Sequence, residues 1–155
     1  MSGIAGVVRL GGTVADVELE AMLRPMAARG PDRQSLVCEG EVGFGQALLA
    51  TSLSAQVDRK HWRHPDSGCI VVSDSRLDNR PQLLRDLCID RPADEVGDGE
   101  LLHAAWQRWR EDCVDRLRGD FAFALWNPAQ RELFMARDPM GVRPFAFHSS
   151  PGLFV

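Results

Sequence analysis

The run Phe121-Ala122-Phe123-Ala124-Leu125-Trp126 has no polar face. Large and small side chains alternate along it, so an extended chain here buries both of its surfaces. Such a strand needs a layer above it and another below. Asn127-Pro128 follows as a turn, and residues 132–136 read as its hairpin partner. Other short apolar or β-branched runs supply further strands: residues 2–10, 35–38, 42–50 and 69–73.

Between these strands the spacing changes to that of helices. Leu19, Met22, Leu23 and Met26 stand at i, i+3, i+4 and i+7, which predicts a helix over residues 15–28. Gly30 serves as its expected C-cap and Pro31 as its stop. Leu83, Leu84 and Leu87 mark a second helix over 79–87. Leu102, Ala105, Trp106 and Trp109 mark a third, with Asp98 as its expected N-cap. Residues 56–67 read as a polar loop holding His61, Trp62 and His64. In the turn-rich stretch 137–144, Arg137 and Asp138 are expected to pair, and Gly141 to need an unusual backbone angle. Residues 145–148 and 153–155 read as further strands; the chain stops within the second, so the fold is expected to be incomplete at its C-terminus. Strands buried on both sides, with three amphipathic helices, imply stacked sheets covered by helices.

Composition narrows the function classes. A chain of 155 residues suits one domain. With 18 basic against 22 acidic residues it carries no basic footprint for nucleic acid. No apolar run approaches the length of a membrane span, and the start lacks a signal-peptide pattern, so the expected address is cytoplasmic with no membrane partner. Cys38, Cys69, Cys88 and Cys113 form no CxxC pair and are expected as buried reduced thiols. The His61–His64 spacing has no further ligand nearby, so no metal site is expected. There is no Gly-rich Lys-Ser/Thr loop, hence no ATP site in this chain.

Six motifs then occur in one order: Ser2-Gly3-Ile4-Ala5-Gly6-Val7-Val8, Arg29-Gly30-Pro31-Asp32, Leu77-Asp78-Asn79, Gly97-Asp98-Gly99-Glu100-Leu101-Leu102, the run from Leu117 to Trp126, and the run from Ala136 to Phe145. Together they resemble the class II glutamine amidotransferase domain of the asparagine synthetase family, over nearly the whole chain. In wording the chain looks closest to the asparagine-synthetase-related lasso-peptide cyclases. The resemblance implies an α+β fold, the four-layer αββα sandwich of the N-terminal-nucleophile hydrolases, with residues 1–155 as a glutamine amidotransferase type-2-like domain whose synthetase domain is absent. ATP and Mg are expected only in that missing domain, and no cofactor in this chain.

The family chemistry explains which residues matter. In the family the initiator Met is removed and the residue that follows it is a Cys. Its thiol attacks the side-chain amide of glutamine, and its own α-amine takes the proton. Backbone and Asn donors hold the oxyanion, an Arg grips the glutamine carboxylate, and an Asp meets its ammonium. By this resemblance the catalytic position is Ser2, a weaker nucleophile. The carboxylate clamp falls on Leu48, which bears no charge. The oxyanion segment Asn-Gly-Glu aligns with Asp74-Ser75-Arg76, and a carboxylate at Asp74 opposes developing negative charge. Asp98 alone keeps the family residue.

These departures imply a degenerate glutaminase-like N-terminal domain of an ATP-dependent amide-forming enzyme, of asparagine synthetase or lasso-cyclase type, whose partner is a synthetase domain or protein and, in the cyclase case, a peptide substrate. Two alternatives stand beside it: an active N-terminal-serine amidohydrolase on a substrate other than glutamine, and a non-catalytic docking module for a synthetase or peptide.

Overall fold

The structure is a computed structural model that describes residues 1–51, 57 and 62–155. It contains two antiparallel sheets. The first has five strands in the order β2-β3-β1-β9-β8: β1 is Gly3–Arg9, β2 Arg33–Glu39, β3 Val42–Leu48, β8 Ser149–Ser150 and β9 Leu153–Phe154. The second has four in the order β4-β5-β6-β7: β4 is Trp62–Arg63, β5 Ile70–Leu77, β6 Gly119–Asn127 and β7 Glu132–Arg137. Three helices pack on the sheets: α1 (Asp16–Leu23), α2 (Arg80–Asp86) and α3 (Asp98–Trp109).

Alternation along the strands builds the layers. On β6, Phe121, Phe123 and Leu125 join Leu83, Leu84, Leu101, Leu102 and Trp106 in one buried cluster beneath α2 and α3. Ala124 and Trp126, one residue out of phase, turn to the other face and meet Ile70, Val72, Val8, Val42 and Phe44 between the sheets. On the outer face of the first sheet, Ala5, Val7 and Ala47 pack against Leu19 and Leu23 of α1. The order is therefore helix, sheet, sheet, helices, the expected αββα sandwich. Ser2 leads directly into an inner strand, and β6 is an inner strand of its own sheet.

Several local expectations change. Helix α1 ends at Leu23, and Arg24–Met26 continue as one 3₁₀ turn. Pro25 lacks the N–H that a further α-helical turn would need. Gly30 is not a left-handed cap; a Cβ there would lie 2.1 Å from the Ala47 carbonyl carbon, so the residue serves close backbone approach. The N-cap of α3 is Gly97, and Asp98 is its first helical residue, freeing the carboxylate for long-range pairing. Trp62, read as part of a loop, lies in β4, pairs with Val71 and packs against the cluster under α3. Residues 145–148 form no strand; the short strand is Ser149–Ser150. Cys69 and Cys113 are buried, Cys38 is half-buried, and Cys88 is exposed at the end of α2. His61 lies outside the described residues. Gly141 does take a positive φ, +64°. The turn before it is held by Asp138, which accepts the backbone N–H groups of Val142 (2.9 Å) and Arg143 (3.0 Å) rather than pairing with Arg137. Among the described residues no helix is long and apolar enough to cross a membrane, and no cluster of His, Cys, Asp or Glu could hold a metal ion.

Candidate functional site

The alternation that builds the core also builds the site. On β3, Gln46 and Leu48 share the phase of Val42 and Phe44, which face the gap between the sheets. On β5, Asp74 shares the phase of Ile70 and Val72. Ser2, one residue before β1, shares the phase of Val8. These four residues thus meet at one end of the gap. Ser73 and Ser75 fall on the opposite face of β5, toward the start of α3.

All five residues expected from the resemblance come together. Ser2, Leu48, Asp74, Ser75 and Asp98 line one cavity of about 230 Å³. Their partners matter more than their proximity. The Ser2 backbone N–H donates to Asp74 Oδ1 at 3.0 Å. The Ser2 hydroxyl oxygen accepts the Leu49 N–H at 3.0 Å. Asp98 is engaged from two sides: Ser75 Oγ donates to Oδ2 at 2.7 Å, and the Arg80 guanidinium pairs with Oδ1. Arg80 also donates to the carbonyls of Ala93 (3.0 Å) and Val96, which fixes the loop before α3.

Asp74 sits among cations. Arg143 Nη1 is 3.4 Å from its Oδ1, and Arg29 Nη2 is 3.9 Å from its Oδ2. Burial nevertheless pushes the Asp74 carboxyl above the ordinary carboxylate range, against the opposing pull of Arg143, the Ser2 N–H and Arg29. Leu48 is buried and apolar, and offers nothing to a carboxylate. Arg76 lines the cavity but is held at its rim by Asp78 (3.1 Å) and Asp120 (3.4 Å).

Sequence reasoning missed Gln46, Arg80 and Arg143. Gln46 is buried, and its Nε2 donates to the Ser73 carbonyl at 2.9 Å, tying the two sheets together beside Ser2. Arg143 lies inside the motif from Ala136 to Phe145, yet nothing local signals that it returns to Asp74.

The comparisons with known proteins agree with this architecture. A family profile described as the glutamine amidotransferase domain matches residues 1–155. The chain is 33% identical over 142 residues to asparagine synthetase (glutamine-hydrolyzing) 3 of Bacillus subtilis strain 168, covering 86% of this chain and 22% of that protein. It is 48% identical over 137 residues to a Mycobacterium tuberculosis protein whose name is a provisional assignment as a glutamine-hydrolyzing asparagine synthetase, covering 82% of this chain and 21% of that protein. The chain thus spans about a fifth of the length of these relatives. Among solved structures, the glutamine phosphoribosylpyrophosphate amidotransferase of B. subtilis shares the fold, with a TM-score of 0.57 at 17% identity over 97% of this chain and 34% of that one. This chain is a glutamine amidotransferase domain of the asparagine synthetase family.

Proposed function

We propose that this domain has lost glutamine hydrolysis and serves as the glutaminase-like N-terminal part of an ATP-dependent, amide-forming enzyme of asparagine synthetase or lasso-cyclase type. The observation that carries this reading is the 3.0 Å contact between the Ser2 nitrogen and the Asp74 carboxylate. Once Met1 is removed, that nitrogen is the α-amine that must act as base toward the Ser2 hydroxyl. A carboxylate beside it favours the ammonium form, which cannot accept a proton. By the resemblance the same carboxylate takes the place of a neutral oxyanion donor, and loss of one such donor costs on the order of 10²–10³ in rate.

The remaining positions point the same way. Leu48 supplies no partner for the substrate carboxylate, a loss of about 1.5–3 kcal/mol of binding. Asp98, the residue that matches the family, already holds Ser75 and Arg80. An amine nucleophile supplied by the substrate itself would make ammonia release unnecessary, so a cyclase-type enzyme would need no working glutamine pocket. The contact between Ser2 and Asp74 also disfavours an active N-terminal-serine amidohydrolase, since that activity needs the same base.

The test is ammonia release from glutamine by the Met1-processed chain, by Ser2→Cys, and by the triple variant Ser2→Cys, Leu48→Arg, Asp74→Asn. The first two are expected to stay at background. Release well above background from either would overturn the proposal.

A further inference from the structure

Behind Ser2 the gap between the sheets does not close. Facing sheets normally interdigitate their side chains over about 10 Å. Three of the residues lining the space are small, Gly6 on β1, Ala124 on β6 and Ala146 beyond β7, and the larger ones stand around it. The result is a cavity of about 560 Å³, within the range of sites that hold small organic ligands. Between the sheets its walls include Phe44, Met135 and Phe145, and past the stretch of β1 that β9 does not pair it reaches Met22 and Met26 below α1, with Phe147 at its mouth. Three methionines give a wall that adapts to shape. Phe147 is 68% exposed and stacks on Phe154 with ring centroids 5.6 Å apart, so the cavity reaches solvent at this aromatic pair.

The polar end is equally defined. Ser2 and Asp74 line both this cavity and the smaller one, so the two meet there. Among the described residues, Arg29 is the one Arg or Lys that lines the larger cavity. Its Nε donates to the Ser2 carbonyl at 3.4 Å, and its guanidinium stands 3.9 Å from Asp74. Asp74 is shared with Arg143, so among the described residues two guanidiniums face one carboxylate at the polar end.

We infer that this cavity is a binding site for an amphiphilic monocarboxylate, its apolar chain lying between the sheets and its carboxylate on Arg29. The site does not depend on reactivity at Ser2, so its test is separate from the test of glutamine hydrolysis. A guanidinium–carboxylate contact supplies the head recognition, and the apolar walls supply the rest.

Isothermal titration of the full chain with decanoate, decanol and acetate tests it. Decanoate should bind saturably, one per chain, and acetate should not. Arg29→Gln should weaken decanoate about tenfold, the loss of one charge-assisted contact, and leave decanol within about twofold. Met135→Trp, which fills the cavity, should weaken both chain-bearing probes; Ala124→Leu serves the same end should the tryptophan variant fail to melt cooperatively. The inference is overturned by absence of saturable decanoate binding, by many molecules bound per chain, by Arg29→Gln leaving decanoate affinity unchanged or weakening decanol equally, or by undiminished binding in a folded cavity-filled variant.

Discussion

The nitrogen of Ser2 and the carboxylate of Asp74 join the two sheets at the mouth of the gap between them, 3.0 Å apart and both buried. Everything distinctive about this pocket follows from that pair. It takes the group that should be a base and gives it a counterion. With Met1 removed, Asp74 favours the ammonium form of the Ser2 α-amine against burial and the two guanidiniums, so Asp74→Asn should lower the pH at which that amine titrates. The pH dependence of N-terminal acylation by a limiting reagent measures this. An amine that titrates identically in both proteins would mean the contact is lost after processing.

Asp74 also links pH to stability. In the chain that retains Met1, burial raises its folded-state pKa despite Arg143, the Ser2 N–H, the N-terminal amine and Arg29. The folded protein thus holds this proton more tightly than the unfolded chain does. The stabilising contribution is present at acid pH and is lost as pH rises through the carboxyl's titration. Asp74→Asn keeps a side-chain oxygen for the Ser2 N–H without the buried charge. It should therefore remove the part of the fall in stability with rising pH that Asp74 causes, on top of a pH-independent cost for leaving Arg143 without its counterion. A variant whose urea midpoint falls with pH as steeply as the parent's would assign that slope to another group.

His103 behaves in the opposite sense. It lies buried on α3, its ring 4.9 Å from that of His64 and 4.7 Å from that of Trp62, with Gln107 Nε2 3.1 Å from its Nε2. Burial, and then the neighbouring His64, lower it from 6.5 to about 4. The His64 Nδ1 is committed to accepting the backbone N–H groups of Asp66 and Ser67, at 3.3 and 3.1 Å. The unfolded chain binds a proton at His103 that the folded one refuses, so stability should fall as pH drops from about 6.5 to about 4 and level off below, by on the order of 3 kcal/mol. Denaturant unfolding across that window, compared with His103→Gln, isolates the effect. An unchanged slope in the variant would assign the acid sensitivity elsewhere.

The layers were legible because β6 writes them out: Phe121, Phe123 and Leu125 to one side, Ala124 and Trp126 to the other. Helix ends were less legible, since Pro25 and Gly97 act through single backbone groups that periodicity does not report. Trp62 was misread because a two-residue strand has no period at all. Motif order brought Ser2, Leu48, Asp74, Ser75 and Asp98 to one cavity. It carried no sign of Arg80 or Arg143, whose partners are 18 and 69 residues away in the chain and are chosen by the packing of the sheets against helix and turn.

Arg80 gives the most direct measure of how firmly the pocket is committed. Its side chain and that of Asp98 are only 13% and 12% exposed, and the guanidinium also holds the Ala93 and Val96 carbonyls. Removing one member of a buried pair leaves an uncompensated charge, at a cost of about 3–5 kcal/mol. Arg80→Met should therefore destabilise strongly, Asp98→Asn less so because its amide can still bond Ser75, and the double variant by less than the sum of the two. A double-mutant cycle by urea denaturation reads that coupling. The consequence reaches the site: a substrate ammonium can use Asp98 only by competing with Arg80. The triple variant restored at Ser2, Leu48 and Asp74 should then show glutamine turnover with a high KM, and a further Arg80→Gln change should lower that KM if the domain stays folded. Additive energies in the cycle, or a KM indifferent to residue 80, would show that Asp98 is available as it stands.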